Sequence, residues 1–139
     1  YPHYSEELTI VKQTTSDHSA DLGITLSGED ILLYQHLIRQ IPVADNVLEY
    51  AVTLANKTRP GTNYAPPIVN EFLTWGAGPR ASQFLVMGAK CHAALNGKYS
   101  PDIEDVKALA KPILRHRIIR NYKAEAENVS VEKIIEELL

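Results

Sequence analysis

The spacing of the apolar residues constrains the fold of this chain more than any other feature, because it is helical along almost the whole sequence. Apolar side chains recur three or four positions apart, which places them on one face of a helix. Each such segment follows a residue that can cap a helix or begin its first turn. The predicted helices begin near Ser5, Ser27, Asp45, Pro79, Pro101 and Ser130, and end near Thr14, Gln40, Arg59, Asn96, Lys111 and Leu139.

The segments between these helices leave little room for a sheet. Residues 58–67 contain three prolines and one glycine, a composition that interrupts regular structure. Residues 69–75 are mostly apolar, and their pattern fits either an extended segment or a brief helix. Residues 117–120 alternate enough to allow a short strand. The prediction is an all-α fold with at most one very short strand pair.

The same periodicity predicts which side chains face a core. In the first two helices these are Leu8, Val11, Ile31, Tyr34, either Leu37 or Ile38, and Ile41, with Ile10 as a further candidate. In the helix that follows Pro79 the predicted stripe comprises Ala81, Phe84, Leu85, Gly88, Cys91, His92 and Leu95. We also expect the aromatic rings of Tyr64, Tyr99 and Tyr122 to pack in the core.

Composition limits the classes of function. The chain has 139 residues, a net charge of −3 and a pI near 5.9, which indicates one domain without a general affinity for nucleic acid or anionic membranes. Cys91 is the only cysteine, which excludes an internal disulfide and a cysteine-based zinc cluster. No apolar run approaches the ~18 residues of a membrane span, and there is no signal-peptide pattern. Because the chain opens at Tyr1 directly on a helical pattern, we expect it to be a piece of a longer protein.

Gly78-Pro79-Arg80 is the most informative local pattern. Glycine is acceptable at the N-cap and proline favours the first helical position, so Arg80 falls in the first turn. The positive end of the helix dipole disfavours a cation there by roughly 0.3–1 kcal/mol unless an anion lies nearby. A helix N-terminus beside a guanidinium is suited to phosphate. The residues alone leave two interpretations open: an arginine that extends into solvent, and an arginine that binds an anion.

A second candidate is a cluster of cations at residues 115–123. It could contact phosphate, nucleic acid or a neighbouring subunit, or it could be a solvated face balanced by Glu125 and Glu127. Arg59 follows a helix C-terminus, where the dipole favours a cation, and needs no further role. The cluster comprises Arg115, His116, Arg117, Arg120 and Lys123.

Other recognisable chemistry is absent from the sequence. It contains no G-x-x-x-x-G-K-[ST] phosphate loop, no G-x-S-x-G and no H-E-x-x-H motif. Cys91 and His92 are adjacent on a predicted helix and point about 100° apart, so they cannot share a metal ion. The histidines are scattered, and no metal site is predicted; they are His3, His18, His36, His92 and His116.

The segment from Gly76 to Ala81 resembles the sensor 2 motif of MoxR-type AAA+ ATPases, usually written G-A-S-P-R-A. Gly78 stands where the family has serine, which removes a hydroxyl but keeps an acceptable N-cap. Further segments follow in the family's order: Tyr99-Ser100-Pro101 with Glu104-Asp105-Val106, Leu114-Arg115-His116-Arg117-Ile118, and Glu125-Ala126-Glu127. Upstream, Tyr1-Pro2 with Ser5-Glu6-Glu7-Leu8 resembles the stretch after the nucleotide-binding core, and residues 41–59 resemble the helix before the lid.

The resemblance covers nearly the whole chain and implies a C-terminal helical lid fragment over residues 1–139. Residues 1–60 would follow the missing nucleotide-binding core, and residues 68–139 would form the sensor 2 lid proper. Arg80 would be the catalytic sensor 2 arginine that reaches the γ-phosphate. The nucleotide contact would comprise Gly78, Pro79 and Arg80.

The resemblance also implies the setting in which the lid works. ATP and Mg²⁺ would be cofactors of the parent protein, and the fragment alone would bind ATP weakly at best and be inactive. Its partners would be its own core domain, further copies in a hexameric ring, and proteins with von Willebrand factor A domains. The parent would be a cytoplasmic, chaperone-like remodeller. Arg115, His116 and Arg117 would be a candidate subunit or phosphate contact.

Two alternatives of other classes stay open. A free-standing helical nucleic-acid-binding domain would use residues 115–123, although the net acidity argues against it because such binding depends on neutralised phosphates. A protein-interaction adaptor would use an exposed apolar groove.

Overall fold

The computed structural model describes residues 1–17 and 23–139, so His18 lies outside the described residues. Residues 1–31 and 32–139 form two compact units. No helix among the described residues is both long and apolar enough to cross a bilayer. The elements are α1 (Tyr4–Thr14), α2 (Gly28–Gln40), α3 (Asp45–Lys57), α4 (Pro67–Phe72), β1 (Leu73–Trp75), α5 (Pro79–Leu95), α6 (Ile103–Leu114), β2 (Ile119–Arg120), α7 (Tyr122–Ala126) and α8 (Val131–Leu138).

The all-α prediction is confirmed, and the strand pair that it allowed is present. β1 and β2 pair antiparallel, with Leu73 opposite Arg120 and Trp75 opposite Ile119. Residues 69–75 adopt both of the predicted forms: residues 69–72 belong to α4, and residues 73–75 form β1. The short sheet therefore leads directly into the glycines that precede α5.

The core of the unit 32–139 lies where α3, α5 and α6 pack together, with α8 against α6. Small residues make the close helix contacts: Ala51 and Ala55 on α3, and Ala81, Ala89 and Ala93 on α5, are all buried. Larger side chains fill the space between them, notably Leu54, Leu85, Leu114, Ile134 and Ile135. Alanine at the contact lets the helix backbones approach each other, so the position of α5 is well defined by its neighbours.

Several helix starts differ from the sequence prediction. α1 begins at Tyr4 rather than after Ser5, and the Glu6 carboxylate accepts the His3 backbone N–H at 2.8 Å. The N-cap of α3 is Ala44, and Asp45 lies in the first turn, where its charge favours the dipole. α6 begins after Asp102 rather than at Ser100-Pro101. Its start is displaced because the Asp102 side chain accepts the backbone N–H of residue 105 at 3.1 Å.

The predicted ends and caps of other helices agree better. Ser27 and Ser130 cap α2 and α8 through their side-chain oxygens, as expected. α5 ends at Leu95, and Gly97 takes the left-handed conformation with φ of +71°. α6, in contrast, continues through Pro112 to Leu114, because a proline in the last turn removes only one backbone hydrogen bond.

The predicted buried faces of α1 and α2 are wrong for this chain. Neither helix has a buried residue. Apolar spacing shows that a face favours burial but does not supply the surface that covers it. Ile38 and Ile41 are half-buried. The exposed residues are Leu8, Ile10, Val11, Ile31, Tyr34 and Leu37.

The predicted stripe of α5 is also partly wrong, since Phe84 and Leu95 are exposed while Ala89 and Ala93 are buried. The three tyrosines expected in the core, Tyr64, Tyr99 and Tyr122, are exposed.

Candidate functional site

The helix start that carries Arg80 forms as the sequence predicts. Gly78 is the N-cap, with an extended backbone at φ −78° and ψ 179°, and Pro79 is the first helical residue. The Ala81 backbone N–H donates to the Gly78 carbonyl at 2.9 Å, which closes the first turn. Gly78, Pro79 and Arg80 are all exposed. The three residues therefore present one accessible surface at the N-terminus of a 17-residue helix.

The Arg80 guanidinium lies outside the hydrogen bonds and ion pairs formed within residues 1–17 and 23–139. No acidic residue occupies the first turn of α5, whereas most other helices of the chain have one. The N-terminal end of α5 thus carries a cation and the positive end of the helix dipole together. This arrangement favours an anion as the partner of Arg80.

The residues just before this helix are fixed by the C-terminal end of α3. The Ala77 backbone N–H donates to the Thr58 hydroxyl at 2.8 Å, and that hydroxyl donates to the Ala55 carbonyl at 2.7 Å. The Arg59 side chain donates from Nε to the Ala77 carbonyl at 2.8 Å and from Nη1 to Asn56 Oδ1 at 2.7 Å. We call Thr58, Arg59 and Ala77 the α3–α5 clasp. The expectation that Arg59 serves only the helix dipole is therefore wrong.

Gly76 allows this contact because its backbone lies against α3. A Cβ at Gly76 would lie 2.4 Å from the Thr58 carbonyl oxygen and 2.5 Å from the Arg59 Cα, which are backbone atoms that cannot move aside. Gly78 has open space where its Cβ would be, and its φ is available to any residue. Of the two glycines in the motif, the structure therefore requires the first and tolerates substitution of the second.

The cations of residues 115–123 do not form one surface. Arg120 donates to the Val129 carbonyl at 2.8 Å, and Lys123 pairs with Glu71 at 2.5 Å. Arg117 lies over the Phe84 ring at 4.8 Å and donates to the Ile113 carbonyl at 2.5 Å. It also contacts His116.

This division weakens the nucleic-acid alternative, because several of the cations have partners within the chain. Arg115 is exposed. The predicted counter-charge is partly right, since Glu127 lies 3.8 Å from Lys123, but Glu71 is the closer carboxylate.

A buried carboxylate, which the sequence did not single out as a site, connects α5 and α6. Asp105 Oδ1 lies 2.7 Å from His92 Nδ1, and Asp105 Oδ2 accepts from Lys98 Nζ at 3.1 Å and from the Asp102 backbone N–H at 2.9 Å. Burial raises the pKa of Asp105, but these hydrogen bonds outweigh it and lower the pKa from 3.8 to about 2. Both carboxylate oxygens of Asp105 have hydrogen-bond partners within the chain, so we interpret this cluster as structural. A lysine seven residues before a first-turn aspartate was the only signal in the sequence.

No group of three or more His, Cys, Asp or Glu side chains is arranged to hold a metal among the described residues. An open groove of about 600 Å³ lies on the outer side of α3 and α5. Its walls are mainly apolar, which is compatible with the adaptor alternative. The groove is lined by Arg39, Leu48, Val52, Phe84, Val86 and Met87, among others.

Comparison with known proteins favours the lid interpretation over the nucleic-acid-binding and adaptor alternatives. The AAA lid domain family matches residues 66–138, which contain the α5 start, the sheet and the Asp105 cluster. The chain belongs to the AAA lid domain family. The region of the match begins at residue 66, within the last two residues of the break at 58–67, and ends at the last residue of α8. The expected resemblance to the lid of a MoxR-like AAA+ ATPase is thereby confirmed, together with the helical lid fold.

Individual relatives agree with the family. The chain is 27% identical over 146 residues to Chaperone MoxR1 of Mycobacterium tuberculosis, covering 100% of this chain and 37% of the relative. It is 26% identical over 140 residues to the uncharacterized protein YeaC of Bacillus subtilis, covering 100% of this chain and 41% of the relative. A crystal structure of a candidate ATPase from Cytophaga hutchinsonii superimposes with a TM-score of 0.81 at 29% identity, covering 99% of this chain and 42% of that one. The chain therefore spans about two fifths of the length of the proteins that it matches.

Proposed function

We propose that this AAA lid domain is the nucleotide-sensing module of a MoxR-like ATPase and that Arg80 is its sensor 2 arginine. In this proposal Arg80 reaches the terminal phosphate of an ATP molecule held by a separate core domain. One observation carries it: an exposed guanidinium without a partner among the described residues stands in the first turn of α5. The family match supports the proposal, because the lid of an AAA+ ATPase accompanies a core domain whose bound nucleotide would provide the anion.

The chemistry expected of Arg80 is electrostatic. Charge develops on the γ-phosphoryl oxygens during transfer, and a positioned guanidinium stabilises it. The N-terminal end of α5 adds positive potential in the same direction. Gly78 and Pro79 contribute by shaping the first turn, not by donating side-chain hydrogen bonds. The lid would thus register the nucleotide state through one salt bridge that forms only when a γ-phosphate is present.

The proposal extends to the whole protein. The core would hold ATP with Mg²⁺, the lid alone would be inactive, and copies would assemble into a ring. We propose a chaperone-like remodelling activity in the cytoplasm, as the name of the MoxR1 relative suggests, with von Willebrand factor A domain proteins as candidate partners. Arg115 and His116, which are exposed, remain a candidate contact to a neighbouring subunit, with Arg117 beside them.

Substitution of Arg80 in the full-length ATPase tests the proposal. We expect Arg80→Ala to lower the rate of ATP turnover by about tenfold or more, the scale observed when a contact to transition-state charge is removed. Arg80→Lys should recover only part of the rate, because an ammonium group lacks the forked geometry of a guanidinium. Steady-state phosphate release gives kcat and KM for each variant.

Lys133→Ala is the matched control, since it removes one exposed cation from α8. Its turnover should stay within twofold of the unmodified enzyme. An Arg80→Ala enzyme with unchanged turnover would refute the sensor 2 assignment.

A further inference from the structure

We propose that Thr58 and Arg59 are positioning residues for Arg80, so that the C-terminal end of α3 sets where the sensor arginine is presented. The inference deepens the proposed function and rests on it. Neither residue belongs to the sensor 2 motif, and both precede the region that matches the AAA lid domain family. They act through Ala77, which lies at the junction of β1 and α5.

The first step is that the two residues directly after α3 satisfy both backbone polar groups of Ala77. Its N–H donates to the Thr58 hydroxyl at 2.8 Å, and its carbonyl accepts from Arg59 Nε at 2.8 Å. Ala77 and Thr58 are buried, at 1% and 0% exposure, so water does not compete for these bonds. The peptide groups on both sides of Ala77 are therefore each held by a hydrogen bond, which fixes the orientation of the backbone at this residue.

The second step is that the clasp itself is held in place. The Thr58 hydroxyl donates to the Ala55 carbonyl at 2.7 Å, which fixes its rotamer. Arg59 Nη1 donates to Asn56 Oδ1 at 2.7 Å while its Nε serves Ala77, so the planar fork makes two contacts at once. All these partners lie in the last turn of α3 or directly after it. The clasp therefore transmits the position of that helix end.

The third step is the distance along the chain to the functional group. Ala77 comes directly before the N-cap Gly78, and Arg80 is in the first turn. The side chain of Arg80 has no anchor of its own among the described residues, so its location depends on the backbone from which it starts. A displacement of 1 Å at a reacting group can reduce a rate by about a hundredfold. Small changes at Ala77 should therefore alter catalysis more than binding.

The fourth step is the close packing at Gly76, which prevents the segment from adjusting. The approach of Gly76 to the Thr58 carbonyl leaves no space for a side chain. The chain before Arg80 is thus fixed by contact and by hydrogen bonds to the same two residues. An exposed helix start without a positional task would not need this degree of constraint.

The test compares two substitutions of Thr58 in the full-length ATPase. Thr58→Val keeps the shape and removes the hydroxyl, whereas Thr58→Ser keeps the hydroxyl. We expect Thr58→Val to lower kcat for ATP hydrolysis about tenfold with KM changed less than threefold, and Thr58→Ser to restore most of kcat. Arg59→Lys, which keeps the charge but loses the fork, is the second variant and should lower kcat at least threefold. The Arg59→Lys variant tests the positioning role of the clasp even if the Thr58→Val protein does not fold.

A stability control separates positioning from general weakening. Ile135→Val lies on α8, outside the clasp residues and their hydrogen-bond partners, and removes one buried methylene. Assays run well below the thermal midpoints of all variants, where Ile135→Val should turn over ATP within twofold of the unmodified enzyme. A loss of kcat in Thr58→Val and Arg59→Lys no larger than that in Ile135→Val overturns the inference.

A double-mutant cycle shows whether the clasp acts through Arg80. In an Arg80→Ala background, Thr58→Val should have less than a twofold further effect on kcat. A full tenfold effect in that background would mean that Thr58 acts by another route, which overturns the inference and leaves the sensor 2 assignment intact. An Arg80→Ala enzyme with normal turnover would instead refute the proposed function, and the positioning role with it.

Discussion

At the scale of single residues, Asp105 makes the clearest electrostatic contribution to the fold. Its pKa falls from 3.8 to about 2, because hydrogen bonds from Asp102, His92 and Lys98 outweigh the cost of burial. A carboxylate with a lowered pKa in the folded state stabilises it above the unfolded pKa and loses that contribution as the pH falls through the folded value. The difference corresponds to about 2 kcal/mol. The window of loss lies between pH 4 and pH 2.

We therefore expect Asp105→Asn to reduce the free energy of unfolding by about 2 kcal/mol at pH 6. The difference between the two proteins should shrink as the pH is lowered from 4 to 2, because the native carboxylate then becomes neutral as well. Urea unfolding of both proteins at several pH values measures this difference in the free energy of unfolding. A difference that stays constant across this window would show that the Asp105 charge does not stabilise the fold.

Substitution by alanine should have a large effect on stability at Gly76 and a small one at Gly88. At Gly76 the new Cβ would meet backbone atoms of Thr58 and Arg59 at 2.4 and 2.5 Å, so Gly76→Ala should cost at least about 2 kcal/mol of stability. At Gly88 the Cβ would meet the ends of the Leu109 and Ile113 side chains at 2.7 and 3.1 Å, which can rotate away. The better helix propensity of alanine, about 1 kcal/mol, offsets that strain, so Gly88→Ala should change stability by less than about 1 kcal/mol. Thermal unfolding of both variants provides the comparison, and equal losses would contradict it.

The residue scale also shows what the sequence could predict about the site. The position of Arg80 follows from local chemistry, since glycine and proline specify where the helix begins. The clasp does not, because Thr58 and Ala77 are 19 residues apart and only the packing of α3 on α5 brings them together. The partnership of His92 with Asp105 depends on tertiary packing in the same way. Local patterns place a residue on its helix, but they do not identify its partner on another.

At the scale of elements, Asn121 connects α4, the sheet and α7. Its Nδ2 donates to the Glu71 carbonyl at 2.7 Å, and its Oδ1 accepts the Ala124 backbone N–H at 2.9 Å as the N-cap of α7. The sequence does not predict α7, because its five residues are too few to show a helical period. This one side chain, which directly follows β2, thus contacts the α4 backbone and caps α7.

Asn121→Ala should lower the free energy of unfolding by about 2 kcal/mol. The lost N-cap hydrogen bond accounts for about 1 kcal/mol, and the lost hydrogen bond to the Glu71 carbonyl accounts for about 1 kcal/mol. Asn121→Asp keeps an acceptor at the N-cap but has no donor, so its loss should be about half as large. Chemical denaturation of the three proteins tests the order. If the aspartate variant is no more stable than the alanine variant, the cap contributes nothing measurable.

Helix faces were harder to predict than helix positions. On α5 the sequence favoured large apolar residues for the buried stripe, yet the contact with neighbouring helices is made by Ala81, Ala89 and Ala93. Small residues allow close approach of two backbones, while Phe84 lies at the edge under the Arg117 guanidinium. Ranking positions by hydrophobicity alone therefore rotates the predicted face away from the true one.

At the scale of the whole molecule, the exposed apolar faces of α1 and α2 have a consistent interpretation. Their periodicity was recognised correctly, but α1 and α2 bury no residue among those described. Relatives that contain this whole chain are more than twice as long, so the proposed parent contains further surface that could cover these faces. A fragment sequence can show that a helix is amphipathic, whereas its partner is specified by residues elsewhere.

The division of the proposed site between two domains leads to a prediction for the chain by itself. The sequence has no phosphate loop, and the described residues contain no group of three or more His, Cys, Asp or Glu side chains arranged to hold a metal, so the proposed contact to a triphosphate consists of one guanidinium and a helix N-terminus. Two such contacts in water should give a dissociation constant for ATP of about 1 mM or weaker. Chemical-shift titration of the 139-residue chain should localise the weak response to residues 78–81, and Arg80→Ala should abolish it. Inorganic phosphate should compete, because the contact recognises charge and not the base. Micromolar binding of ATP, or a response that survives Arg80→Ala, would mean that this chain holds nucleotide without a core domain, and the divided site would have to be abandoned.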